Sequence, residues 1–116
     1  MKTIMKSLLI AAFLGIALHA GTASANEWLV TPTNVGCFDS GECFILVSPS
    51  IPTSDPNTCG SRTQVRWLTS SNPGADAIFK TALSAFLAGK KMIVNVYAGA
   101  TCVSGFPKVT YAYVTN

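Results

Sequence analysis

The chain has 116 residues, 49% of them hydrophobic and 11% charged, with a formal net charge of +3. That length makes one domain, and from residue 26 onward six basic side chains stand against five acidic ones, a net of +1 (6 − 5). So even a balance supplies no basic face of the kind that binds nucleic acid, and the sole histidine, His19, lies before residue 26.

Lys2 and Lys6 open the chain, followed by the apolar run LLIAAFLGIALHA and then Ala23-Ser24-Ala25. A basic start, a short apolar core and a small-residue A-x-A site predict a signal peptide over 1–25, cut after Ala25. The run from Leu8 to Ala20 is 13 residues, short of the roughly 20 that span a bilayer, so no membrane span is expected. The expected product is a secreted or periplasmic domain over 26–116. Its four cysteines, Cys37, Cys43, Cys59 and Cys102, read as two disulfides in that compartment. Zinc knuckles pair cysteines at C-x2-4-C spacing; five residues separate Cys37 from Cys43, and the other two are far apart, so no metal and no other cofactor is expected.

Glu27 to Val35 reads as a first strand that Pro32 makes an edge or a bent strand. CFDSGEC, Cys37 to Cys43, centres on the turn Asp39-Ser40-Gly41, and Phe44 to Val47 is a short apolar strand. Ser48 to Gly60 holds three prolines and is a loop, ordered or partly flexible. From Arg62 to Leu68 the pattern alternates, with Thr63, Val65 and Trp67 against Arg62, Gln64 and Arg66, a half-buried strand.

A helix follows. Asn72 is its expected cap, Pro73 its first residue, and Asp76 sits in the first turn near the positive end of the dipole. Ala75, Ile78, Phe79, Ala82, Leu83, Phe86 and Leu87 recur at three- and four-residue steps as one apolar stripe, with Ala85 off it. Gly89 is the expected stop. Lys91 to Ala98 is a strand with Met92, Val94 and Val96 on one face and Ile93, Asn95 and Tyr97 on the other. Ala98 to Gly105 is a loop, and Phe106 to Thr115 is a last strand.

The order β-β-β-α-β-β is that of the OB-fold, a small β-barrel whose helix plugs one end between strands three and four. The alternative is an open α+β sheet with one helix across a face. Four cysteines allow three pairings. Cys37 and Cys43 flank a turn, which favours a bridge between them. In the barrel, the start of strand three and the end of strand four meet at one pole, which favours Cys59 with Cys102.

The segment Phe79 to Val114 is similar to the OB-fold B subunits of bacterial AB-type toxins of the subtilase-cytotoxin and pertussis-like kind. The matching residues are Ala82-Leu83, Phe86, Gly89, the strand Met92 to Tyr97, Gly99, and Phe106-Pro107-Lys108-Val109. Gly89-Lys90-Lys91 and Gly99-Ala100-Thr101-Cys102 also resemble a broader set of small secreted bacterial proteins. The resemblance implies a toxin B-subunit-like binding module, carbohydrate binding on a sialylated sugar, and assembly into a ring. Two departures stand against a residue-by-residue transfer. The segment before the second strand is short here, and Val96 stands where the toxin pattern has an aromatic. Tyr97, one position along, is on the other strand face.

No nucleophile stands beside a base, so an enzyme is not expected. Arg62 and Arg66, with Gln64 between them, share an expected strand face and have the chemistry to grip an anion. Tyr97, Tyr111 and Tyr113 have the chemistry to stack on a sugar ring. Trp28 is expected in the core or as an interface anchor. Asp39 and Glu42 fall in an exposed loop. The expected function is a secreted, non-catalytic binding module for a glycan, the alternative a structural or protein-partner-binding protein; the expected partners are a glycan, another secreted protein or further copies of the chain.

Overall fold

The computed structural model describes residues 26–99 and 101–116; the expected signal peptide lies outside them. Among the described residues are strands β1 (Glu27–Cys37), β2 (Glu42–Ser48) and β3 (Gln64–Leu68), helix α1 (Ala75–Ala88), then β4 (Met92–Val96), β5 (Cys102–Val103), β6 (Phe106–Pro107) and β7 (Val109–Val114). Five of the strands form one antiparallel sheet in the order β3-β2-β1-β4-β7. No helix among the described residues is long and apolar enough to cross a membrane.

The first strand is central, not an edge. Its opening residues Glu27–Val30 pair with β4, and Thr31–Cys37 pair with β2. The register shifts between Pro32 and Asn34, where the missing N–H of proline interrupts the ladder and a bulge bends the strand. One long strand thus serves both halves of the sheet.

The sheet is open, and no closed barrel is found among the described residues. Among the described residues, β3 meets the residue just before β7 in a parallel bridge, Arg66 with Lys108. The expected last strand, Phe106 to Thr115, is broken at Lys108. Phe106–Pro107 instead pairs back with Cys102–Val103 through Ser104 and Gly105, both at positive φ (51° and 82°). Two residues at positive φ are what a tight hairpin turn requires. The loop expected from Ala98 to Gly105 therefore contains half of a small second sheet.

The inward residues are those that alternation predicts: Val65 and Trp67 on β3, and Met92, Val94 and Val96 on β4, are all buried. Trp67 also donates its indole N–H to the Ala75 carbonyl at 3.2 Å, which fixes the start of α1 over the sheet. The helix lies on Ala75, Ile78, Ala82 and Ala85. Phe79 and Leu83 are half-buried, and Phe86 and Leu87 are exposed. The buried stripe is thus rotated from the expected one, because alanines let the helix approach the sheet closely and the larger side chains are left at its flank. Asn72 does not cap the helix. Its side-chain oxygen accepts from the Gly74 N–H at 2.9 Å, and Gly74 holds the N-cap position. Gly89 ends the helix in a left-handed conformation (φ 64°), as expected.

Cys37 is bonded to Cys43, and Cys59 to Cys102 across 43 positions of sequence. The second bridge ties the proline loop to β5. That loop is ordered from within. Ile51 is buried, the Arg62 guanidinium donates to the carbonyls of Pro52 (2.7 Å) and Asn57 (2.8 Å), and buried Asp55 accepts from the Asn57 amide at 3.0 Å and from the Trp28 indole N–H. Trp28, half-buried against the core, is an anchor for this loop.

Candidate functional site

The outer face of β1, β4 and β7 is built by register. Glu27 lies opposite Asn95, and Asn95 opposite Tyr111; in the next row Leu29, Ile93 and Tyr113 are neighbours. Strand alternation sends these six side chains away from the face that carries Val94 and Met92 into the core. Tyr111 and Tyr113 are 42% and 45% exposed. Their rings are nearly parallel (11°) with centroids 6.4 Å apart.

Both phenols converge on one carboxylate. Tyr113 donates to Glu27 Oε2 at 2.9 Å, and Tyr111 donates to Glu27 Oε1. Asn95 Nδ2 donates to the Tyr111 oxygen at 3.2 Å, and Asn95 Oδ1 accepts from Thr110 Oγ1 at 2.7 Å. The hydrogen bond to Glu27 is the main cause that raises the pKa of each phenol, since ionisation would set a phenolate against the carboxylate. The phenols therefore stay protonated and keep donating past the pH at which a free tyrosine ionises. Glu27 makes no ion pair among the described residues.

No known protein family, curated protein or solved structure matches this chain.

The expected arginine face lies apart from this one. Arg62 is spent on the proline loop. Arg66 donates to Gln64 Oε1 at 2.9 Å and forms an ion pair with Glu42 at 2.7 Å. Its guanidinium lies 4.1 Å from the centroid of Phe106 and 5.3 Å from that of Phe38. Both arginines are engaged within the chain, and their donors go to separate partners rather than to one shared anion site. Glu42 is not in an exposed loop: it opens β2, half-buried, and the hydrogen bond from Arg66 lowers its pKa. Ser104 Oγ closes the cluster on Glu42 Oε2 at 3.1 Å. Asp39 stays exposed in the turn. Tyr97, 48% exposed, follows Asn95 by two positions on the same strand face, at the margin of the Glu27 site, and has Lys108 Nζ 5.8 Å from its ring centroid.

A separate open hollow of about 440 Å³ lies between the β1–β2 turn and the start of α1, against the Cys37–Cys43 bridge, Pro73 and Phe79, with Thr69 and Asp76 in its lining. Among the described residues no three His, Cys, Asp or Glu side chains gather as metal ligands would, and every cysteine is bridged.

Glu27 and Asn95 are the residues that sequence reasoning missed. Spacing alone places Tyr111 and Tyr113 on one face. Glu27 joins them only through two strand pairings and 84 positions of sequence.

Proposed function

We propose that the chain is a secreted, non-catalytic binding module that takes a glycan on the outer face of Glu27, Asn95, Tyr111 and Tyr113. The observation that carries this reading is the exposed, near-parallel tyrosine pair with both phenols tied to one carboxylate. A sugar ring has apolar C–H faces and a rim of hydroxyls; tyrosine rings cover the first, and carboxylate, amide and phenol oxygens meet the second. The fold is OB-like with an unclosed barrel. Its strand order and the parallel bridge between Arg66 of β3 and Lys108, the residue before β7, support that assignment, and OB-folds bind oligosaccharides on exposed strands and loops. The two disulfides support export to the periplasm or beyond. A glycan array probed with the purified protein tests the reading. Tyr111→Ala and Tyr113→Ala should each remove the signal, and a wild-type protein that gives none overturns it.

Exposed Phe86 and Leu87, the latter at 74%, favour a second reading in which the helix end meets another protein chain, a further copy included. Native mass of the protein at micromolar concentration separates the two: a monomer with a glycan signal supports the first, and an oligomer that Leu87→Asp dissolves supports the second.

A further inference from the structure

Resting on the glycan reading, we infer that the outer face selects uncharged sugars, rich in hydroxyl donors, and rejects sugars bearing a carboxylate or sulfate. The argument is an inventory of donors and acceptors. An ionised carboxylate offers about four acceptor positions and no donor, and a phenol has one proton to give. Both phenol protons go to Glu27, and one Asn95 N–H goes to Tyr111. The two phenols fill about half of the carboxylate's acceptor positions. What Glu27 and the two phenol oxygens still offer to a ligand is lone pairs.

Such a surface must be met by donors. Sugar hydroxyls supply them, and each can sit against Glu27 as a charge-assisted hydrogen bond. An acidic sugar brings acceptors and a negative charge to a carboxylate that has no ion-pair partner among the described residues, and like charges brought together across a recognition surface are a standard basis of exclusion. Lys108 lies over Tyr97, two positions beyond Asn95 on β4, and forms no ion pair with Glu27. The raised pKa of both phenols keeps each proton on its phenol, donated to Glu27, through the neutral range, so the pattern of donors and acceptors holds where binding would occur.

The experiment is a glycan array of matched pairs, each neutral oligosaccharide beside its sialylated and sulfated forms, read with the wild type, Glu27→Gln and Lys108→Gln, each checked for native circular dichroism. The expected result is wild-type signal on neutral members, weaker by about tenfold or more on their acidic partners. Glu27→Gln should lower affinity for the neutral members by about tenfold, the loss expected when a charged acceptor becomes a neutral one, and should narrow the gap to the acidic ones, because the new amide can donate. Equal or stronger wild-type binding of acidic members overturns the selectivity while leaving the glycan reading intact, and its loss in Lys108→Gln would place the anion on that lysine. Silence of the wild type on every glycan overturns both.

Discussion

Two regions of this small protein are assembled from the same kinds of side chain and do opposite things. Around Arg66, a carboxylate (Glu42), an amide (Gln64), a hydroxyl (Ser104) and two phenylalanine rings close on one another. Around Glu27, two tyrosine phenols close on a carboxylate and an amide closes on one of the phenols. The first contains its own counter-charge, and its ion pair is about 15% exposed on either side. It joins the β1–β2 turn, β3 and the β5–β6 hairpin, and its acceptors are answered from inside. The second has no counter-charge among the described residues and lies open. Composition does not separate a structural clasp from a candidate site here. The distinction is whether the charge is balanced within the chain and whether solvent can reach it.

If this contrast is right, damage to the clasp costs stability and damage to the open face costs recognition. The largest effect should come from Cys59→Ser with Cys102→Ser. That bridge closes a 43-residue separation, which chain entropy values at about 4 kcal/mol, against about 2 kcal/mol for the six-residue separation of Cys37 and Cys43. It also holds the β5–β6 hairpin that brings Ser104 and Phe106 to the clasp. Denaturant melts of the two double mutants should show that order, and an equal loss would detach the hairpin from the clasp's stability. Next is Arg66→Met, which strands Glu42 half-buried and unpaired and removes two ring contacts. A loss of about 2 kcal/mol is expected, with glycan binding unchanged where the fold survives.

The clasp also predicts a loss on acidification. The folded pKa of Glu42 is lowered, chiefly by the hydrogen bond from Arg66. A group whose folded pKa is depressed contributes stability above its unfolded value, about 4.3 for glutamate, and that contribution is lost as pH falls through the folded value. Stability measured from pH 6 down to 3 should fall less steeply in Glu42→Gln than in the wild type. Parallel curves would mean that the ion pair contributes nothing measurable.

Much of the clasp's setting was legible in the sequence, and little of its wiring. The period-two patterns around Val65 and Trp67 and around Met92, Val94 and Val96 point inward because each inward residue has polar or exposed neighbours. Gly89 stops the helix because a left-handed residue is needed there. The helix face agrees with its pattern at Ala75, Ile78 and Ala82 and departs from it in the last turn, where Ala85 is buried in place of Phe86 and Leu87. Ala85 and Phe86 are about 100° apart around the axis, and only the distance to the sheet decides between them. Phe106 to Thr115 looks like one strand until Pro107, with no N–H to give, turns back against Cys102. Arg66 and Arg62 sit where a free polar face would be expected, and what consumes them is a set of partners distant in sequence. Glu27 shows the same difficulty from the other side, as its meaning depends on β1, β4 and β7 lying side by side.

The smallest expected effect sharpens the open face without any ligand. Tyr111 and Tyr113 both have raised pKa values, with the hydrogen bond to Glu27 as the leading cause. A tyrosine bound to a carboxylate must give up its donated proton to ionise, leaving two negative groups in contact. For a group whose folded pKa is raised, the stability it adds is present below its unfolded value, about 10, and is lost as pH rises through the folded value. The groups are exposed, so solvent screening keeps this contribution small, and a melting curve is a poor detector of it. Ultraviolet absorbance of phenolate is a better one. In the wild type the late part of the tyrosine titration should belong to these two residues, and Glu27→Gln should bring it to lower pH by replacing the charged acceptor with a neutral one. The same variant should leave denaturant stability within about 1 kcal/mol of the wild type, as one exposed hydrogen-bonded cluster warrants. A titration curve that Glu27→Gln does not move would mean the phenols do not rest on that carboxylate in solution, and the outer face would lose the geometry that marks it as different from the clasp.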